Sequence, residues 1–283
     1  MIKYKYFYGS DIRSVPFLET IFNNEEKLKV ITTKPKVSGR GKKEKPNPVE
    51  IFCREYDIEF SYYKSSPPED MEYGISASFA HIFPESYLIN PIFNIHLSIL
   101  PLYKGPTPVE TAILNMESSS GYTIFLIDKH IDTGNIVYQK NIDIYEDTYA
   151  SDFYKFVNED FKYNYSNIDL FNQVNPQEIL NSKTKKFIKN DFIINLCNLA
   201  EAKAKIRAFN VLGPAIYKDN DSNLKIHSYT DEKHSFPILL QGEELYLEEV
   251  TPPGKKRMNY QDYCRGLKWK YQQVFKQQLN FHF

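Results

Sequence analysis

Asn94 and His96 stand two residues apart in the run Asn94-Ile95-His96-Leu97, and a strand there would turn both side chains to one face. Further on, Asp132-Thr133-Gly134 supplies a carboxylate beside a residue that lets backbone approach closely. An amide donor, an imidazole and a carboxylate can together stabilise a developing oxyanion and move a proton. That is the equipment for acyl transfer without a metal. His130 is the only other imidazole between residues 94 and 134. No HxH, HxxxH or CxxC spacing accompanies it, so no metal site is expected. The other histidines, His81, His227, His234 and His282, lack such company and read as structural.

These residues need a scaffold, and the patterning describes one. Ile2 to Tyr8 reads as a strand, followed by the small-residue turn Gly9-Ser10-Asp11 and a helix from Pro16 to Asn23. That is how a doubly wound α/β domain begins. GxGxxG is absent, which speaks against a dinucleotide site. Strands are expected at 28–33, 74–79, 93–97, 122–127 and 136–143, and helices at 48–55, 108–116 and 148–158. Between Lys34 and Pro46 lie six basic residues, one acid and two glycines, the composition of an exposed loop. From Asn172 to Thr184 the pattern weakens into polar residues, as a linker does. A helix from Phe187 to Arg207 is expected next. The short alternating runs 215–217, 224–227 and 245–247 then suit a small OB-like β-barrel, with a last helix around 260–275. The expected fold is therefore α/β, a doubly wound mostly parallel sheet over residues 1–175, a linker over 176–187 and an OB-like barrel over 188–283.

Composition sets outer limits. The 283 residues are 42% hydrophobic and 25% charged, ordinary for a globular protein with a real core. A formal net charge of -1 argues against a globally basic nucleic-acid binder but leaves room for local basic patches. Cys53, Cys197 and Cys264 are odd in number and widely spaced, which reads as reduced thiols and not a disulfide framework. No apolar run reaches the ~18 residues of a membrane span. The start runs directly into a strand pattern, so no signal or transit peptide is expected.

Taken together, these stretches closely resemble methionyl-tRNA formyltransferases over nearly the whole chain. Phe7-Tyr8-Gly9-Ser10-Asp11 is similar to that family's first strand and turn, and Gly39-Arg40-Gly41-Lys42-Lys43 to its inserted basic loop. Asn94-Ile95-His96 with Ser98-Ile99-Leu100-Pro101 resembles its active-site strand and folate loop. Gly105-Pro106-Thr107-Pro108 and Asp132-Thr133-Gly134 resemble the rest of the catalytic domain. Ile206-Arg207-Ala208-Phe209 and Pro252-Pro253-Gly254-Lys255-Lys256 resemble the C-terminal domain. There are departures: Lys104 stands where the family usually has Arg, and Val211-Leu212 replaces a common Pro-Trp. Ser10-Asp11 replaces the commoner Thr-Pro, which is more like organellar members.

The resemblance implies transfer of a formyl group from 10-formyltetrahydrofolate, a co-substrate, to the methionine amine of initiator methionyl-tRNA. It assigns catalysis to Asn94, His96 and Asp132 and the folate loop to Ser98, Ile99, Leu100 and Pro101. The pterin would lie beside Ala77-Ser78-Phe79 and the residues on to Phe83. Phosphate contacts would come from Arg40, Lys42 and Lys43 in the loop and from Lys255, Lys256 and Arg257 in the C-terminal domain. The implied protein is a monomer in the mitochondrial matrix or, alternatively, a bacterial-type cytoplasmic one. Two other readings compete. One keeps the chemistry and changes the acceptor to an amino sugar or glycinamide nucleotide. The other is an RNA-binding relative that has lost catalysis, against which the intact Asn94, His96 and Asp132 argue.

Overall fold

Seven strands lie across the larger sheet in the order Phe60–Tyr62 (β5), Leu28–Thr32 (β2), Tyr4–Tyr8 (β1), Met71–Ala77 (β6), Ile92–His96 (β7), Ser119–Leu126 (β8) and Ile136–Asp143 (β9). They are seen in a computed structural model that describes residues 2–38, 43–171, 174–178, 180, 182–219 and 222–267. The first five strands pair in parallel, and β8 and β9 close the far edge antiparallel, so the sheet is mostly parallel as expected. Parallel strands covered on both faces read as continuous apolar runs. Phe7, Tyr8, Val30, Ile31, Ile75, Phe93 and Ile95 are accordingly buried.

The helices up to residue 171 are Val15–Asn24 (α1), Pro48–Glu55 (α2), Pro108–Leu114 (α3) and Ala150–Asn164 (α4). Helix α1 buries Phe17, Leu18 and Ile21, and the Phe17 ring meets Phe161 of α4 edge-on at 5.0 Å. Helix α2 starts where Asn47 Oδ1 accepts from the Glu50 N–H at 3.0 Å, with Pro48 in its first turn. The basic segment is not a plain loop. Lys36–Ser38 (β3) and Lys43–Lys45 (β4) pair as an antiparallel ribbon, while Gly39, Arg40, Gly41 and Lys42 lie outside the described residues.

The chain divides into two compact units. One comprises Met1–Val109, Ser118–Ile144 and Asp152–Lys185; the other comprises Glu110–Glu117, Tyr145–Ser151 and Lys186–Phe283. Within the second, Ala215–Asp219 (β10), Ser222–Thr230 (β11), Glu243–Thr251 (β13) and Ile238–Leu240 (β12) form an antiparallel sheet in that order, with Met258–Asn259 (β14) also on β13. Its core gathers Ile194, Ile206, Leu224, Ile226, Leu245, Leu247 and Val250. An OB-like barrel calls for closure between end strands that these pairings, among the described residues, do not include.

The helix expected over 187–207 is a shorter one, Leu199–Phe209 (α5). Asn198 and Glu201 make a capping box that fixes its start. Upstream, Ile193 bridges Ile216 in extended backbone, the conformation that a β-branched pair favours. Helix is described again over 260–267, and the remainder of the expected last helix lies outside the described residues.

Candidate active site

Strand β7 places Asn94 and His96 on one face, opposite Phe125 and Thr123 of β8. His96 is 6% exposed. Its Nε2 lies 2.9 Å from the Tyr103 carbonyl oxygen, and since a carbonyl only accepts, Nε2 carries the proton. Its Nδ1 lies 3.7 Å from Asp132 Oδ2. The Asn94 amide is half-buried and has no hydrogen-bond partner among the described residues.

Strand β8 ends opposite Phe93, at the start of β7, yet Asp132 reaches the far end of that strand. The connection 127–135 therefore folds back along the sheet. Asp128 ties it together by accepting from the His130 N–H and the Thr133 hydroxyl, each at 2.8 Å. Asp132 takes a left-handed backbone at φ 53°, which Asp tolerates better than most residues. Gly134 is required here, since a Cβ on it would sit 1.6 Å from the Leu126 carbonyl oxygen. Asp132 Oδ2 accepts from the Gly105 N–H at 2.7 Å, while Oδ1 has no hydrogen-bond partner among the described residues. The three expected catalytic residues thus converge. The orientation of His96 and Asp132 depends on two backbone groups, the Tyr103 carbonyl and the Gly105 N–H, that side-chain patterns do not reveal.

The turn after β7 is fastened from within. The Thr123 hydroxyl donates to the Ser98 carbonyl at 2.6 Å and accepts from the Leu100 N–H and Gln139 Nε2, both at 3.0 Å. Gln139 Nε2 also donates to the Leu100 carbonyl at 2.7 Å, and Ser98 Oγ to the Leu102 carbonyl at 2.7 Å. Thr123 and Gln139 carried no sequence signal for this role. Ser98 and Leu100 are buried and their polar groups are spoken for; Ile99 and Pro101 are half-buried and offer apolar surface.

Just past the end of β6, Phe79 and Phe83 join Tyr8, Tyr63 and Tyr87 in an aromatic cluster, and His81 stacks on Tyr63 at 4.5 Å. Ser10 Oγ pins this segment by donating to the Ser78 carbonyl and accepting from the Ala80 N–H, each at 3.1 Å.

The expected linker is largely engaged. Asn175 exchanges backbone hydrogen bonds with Ile136 at 2.7 and 2.8 Å, and Gln177 Nε2 donates to the Gly134 carbonyl at 2.6 Å. Residues 182–185 then run parallel to Tyr103–Thr107, beginning with a bond from the Lys104 N–H to the Ser182 carbonyl at 3.0 Å.

The basic residues are distributed unevenly. Arg40 and Lys42 lie outside the described residues, and Lys43 sits on β4. In the second unit Lys255, Lys256 and Arg257 are exposed on the turn between β13 and β14. Arg257 pairs with Glu249, and Lys255 lies 5.4 Å over the Tyr263 ring.

The formyl transferase family model matches residues 19–166. Methionyl-tRNA formyltransferase of Mycoplasmopsis pulmonis is 27% identical in a match that covers 88% of this chain and 93% of its own. The Staphylococcus epidermidis enzyme of the same name is 28% identical, over 92% of this chain and 95% of its own. Among solved structures, an N-formyltransferase from Helicobacter canadensis, in complex with folinic acid and dTDP-3-aminofucose, superposes with a TM-score of 0.64 at 23% identity. That match covers 87% of this chain and 99% of that one. Methionyl-tRNA formyltransferase from Clostridium thermocellum gives 0.60 at 14% identity, covering 89% and 99%.

Proposed function

The chain belongs to the formyl transferase family, and on that premise we propose that it moves the formyl group of 10-formyltetrahydrofolate to the methionine amine of initiator methionyl-tRNA. The observation that carries this reading is the near end-to-end likeness to methionyl-tRNA formyltransferases, which takes in the C-terminal unit as well as the catalytic residues. In this reading the C-terminal unit is an OB-like tRNA-binding module.

The site's residues fit the folate co-substrate: an unengaged amide at Asn94, an open carboxylate oxygen at Asp132, and the apolar surfaces of Ile99 and Pro101. When bound, 10-formyltetrahydrofolate supplies the formyl carbon that the amine attacks. Asn94 donates to the formyl oxygen as negative charge develops on it. His96, its Nε2–H held by Tyr103, donates to the same oxygen from Nδ1 as the imidazolium, the form in which both ring nitrogens carry a proton, with Asp132 beside Nδ1 to balance the charge. Donors aimed at such charge are each worth about 3 kcal/mol in the transition state. Asp132 Oδ1 takes the proton that the attacking amine must lose and passes it to the folate N10 as the formyl carbon–N10 bond breaks and tetrahydrofolate leaves, while the Gly105 N–H holds Oδ2 in place.

The likeness to the Helicobacter canadensis structure favours a second reading, in which the acceptor is an amino sugar nucleotide. One experiment separates the two. The protein is incubated with 10-formyltetrahydrofolate and either methionyl-tRNA or a dTDP-amino sugar, and the formylated product is identified. Formylation of methionyl-tRNA is expected; formylation of the sugar alone would overturn the proposal.

A further inference from the structure

Residues 174–178 and 182–185 touch both loops that orient the catalytic pair. At one end, Asn175 and Gln177 fasten Ile136 and the Gly134 carbonyl, on the turn that carries Asp132. At the other, Ser182 Oγ accepts from the Tyr103 N–H at 2.9 Å, and the Tyr103 carbonyl is the acceptor for His96 Nε2. Thr184 donates its N–H to the Lys104 carbonyl at 2.7 Å. Its hydroxyl donates to the same carbonyl and accepts from the Thr107 N–H, both at 3.2 Å. Lys104 lies between Tyr103, which holds His96, and Gly105, whose N–H holds Asp132 Oδ2. Backbone alternation turns Ser182 and Thr184 inward and leaves Lys183 and Lys185 exposed.

Close packing reinforces the hydrogen bonds. A Cβ on Gly105 would lie 2.8 Å from Thr184 Oγ1 and 3.2 Å from its carbonyl oxygen, and Gly105 has φ +109°. Any residue but glycine would push the two segments apart.

We propose that Ser182 and Thr184 are positioning residues for formyl transfer. By fixing the peptide groups of Tyr103, Lys104 and Gly105 they set the geometry of the His96–Asp132 pair. This deepens the site reading above and rests on it. A small displacement of oriented groups costs rate even when substrates still bind. Loss of either hydroxyl therefore lowers kcat and leaves the KM for the folate alone.

The test uses the full chain with three variants, Ser182→Ala, Thr184→Val and Thr184→Ser, assayed with methionyl-tRNA or with the amino sugar if that proves to be the acceptor. Ser182→Ala and Thr184→Val are expected to lose about tenfold to a hundredfold in kcat, with folate KM within about twofold of wild type. Thr184→Ser, which keeps the hydroxyl, should recover most of the rate. The proposal falls if Ser182→Ala and Thr184→Val keep wild-type kcat, or if the lost rate only tracks the lost folded fraction in thermal melts. Should Thr184→Val fold poorly, Ser182→Ala decides alone, since it removes one oxygen and little volume. His96→Ala runs alongside. If it is inactive while the other variants keep full rate, only the positioning role fails. If it is fully active, or if the wild-type chain formylates neither amine, the site reading fails and the positioning role with it.

Discussion

The His96 imidazole faces a carbonyl at one nitrogen and a carboxylate at the other, so its plane and its protons are both constrained. A ring held this way reorganises little as charge builds on a neighbouring oxygen, and that is where catalytic advantage lies. His96→Ala should therefore lower kcat about 10²- to 10³-fold, with folate KM and thermal stability near wild type. Asp132→Asn keeps an oxygen able to accept from Gly105 while replacing the carboxylate proposed to receive the amine proton. Its kcat should fall by a comparable factor, and steady-state kinetics on both variants checks this. Full activity in Asp132→Asn would leave the side chain as a turn cap. At this scale the sequence was informative because Asn94, His96 and Asp132 are side chains at recognisable spacings. Their holders were hidden because they are peptide groups, for which every residue carries the same atoms.

Strand β1 and the start of β6 meet at a polar knot. Asp70 accepts from the Tyr6 hydroxyl at 2.7 Å and from Lys29 Nζ at 3.1 Å. The Tyr6 bond, followed by Lys29, holds the Asp70 carboxyl below its ordinary range. Burial pushes the Tyr6 phenol up, and Asp70 adds to that. A group whose folded-state pKa is depressed adds stability above its unfolded pKa and loses it as pH falls through the folded value. Asp70→Asn should thus melt below wild type at neutral pH, and the gap should close in acid. Thermal melts across that range measure it; a gap independent of pH would remove Asp70's charge from the explanation. Element patterns were legible where burial imposes a continuous apolar run, as in β1, β2 and β7, or an alternation, as in β9. They misled at 187–198, where apolar residues at mixed spacing imitate a helix but Asn198 caps the real one at Leu199. Strands of three residues such as β5 and β12 are too short to show any period.

On the scale of the molecule, the turn at Lys255, Lys256 and Arg257 offers exposed cations, but Arg257 already has Glu249. Lys255→Ala with Lys256→Ala should raise the KM for methionyl-tRNA and leave folate KM unchanged. The salt dependence of RNA binding should flatten by about one unit of slope per lost phosphate contact. Titration at two salt concentrations reads this directly, and unchanged slopes would make these ordinary solvated charges. The division of the chain has another consequence. Two short stretches, Glu110–Glu117 and Tyr145–Ser151, are encoded inside the first unit's sequence but belong to the second. Among their contributions, the carbonyls of Tyr145 and Thr148 accept from buried Arg207, and the Tyr149 ring stacks on Tyr229 at 6.3 Å. A gene fragment encoding only 186–283 would leave Arg207 without these acceptors, a costly state for a buried cation. No single cut yields both halves intact, so this C-terminal region cannot be exchanged as a cassette between enzymes unless those two inserts travel with it.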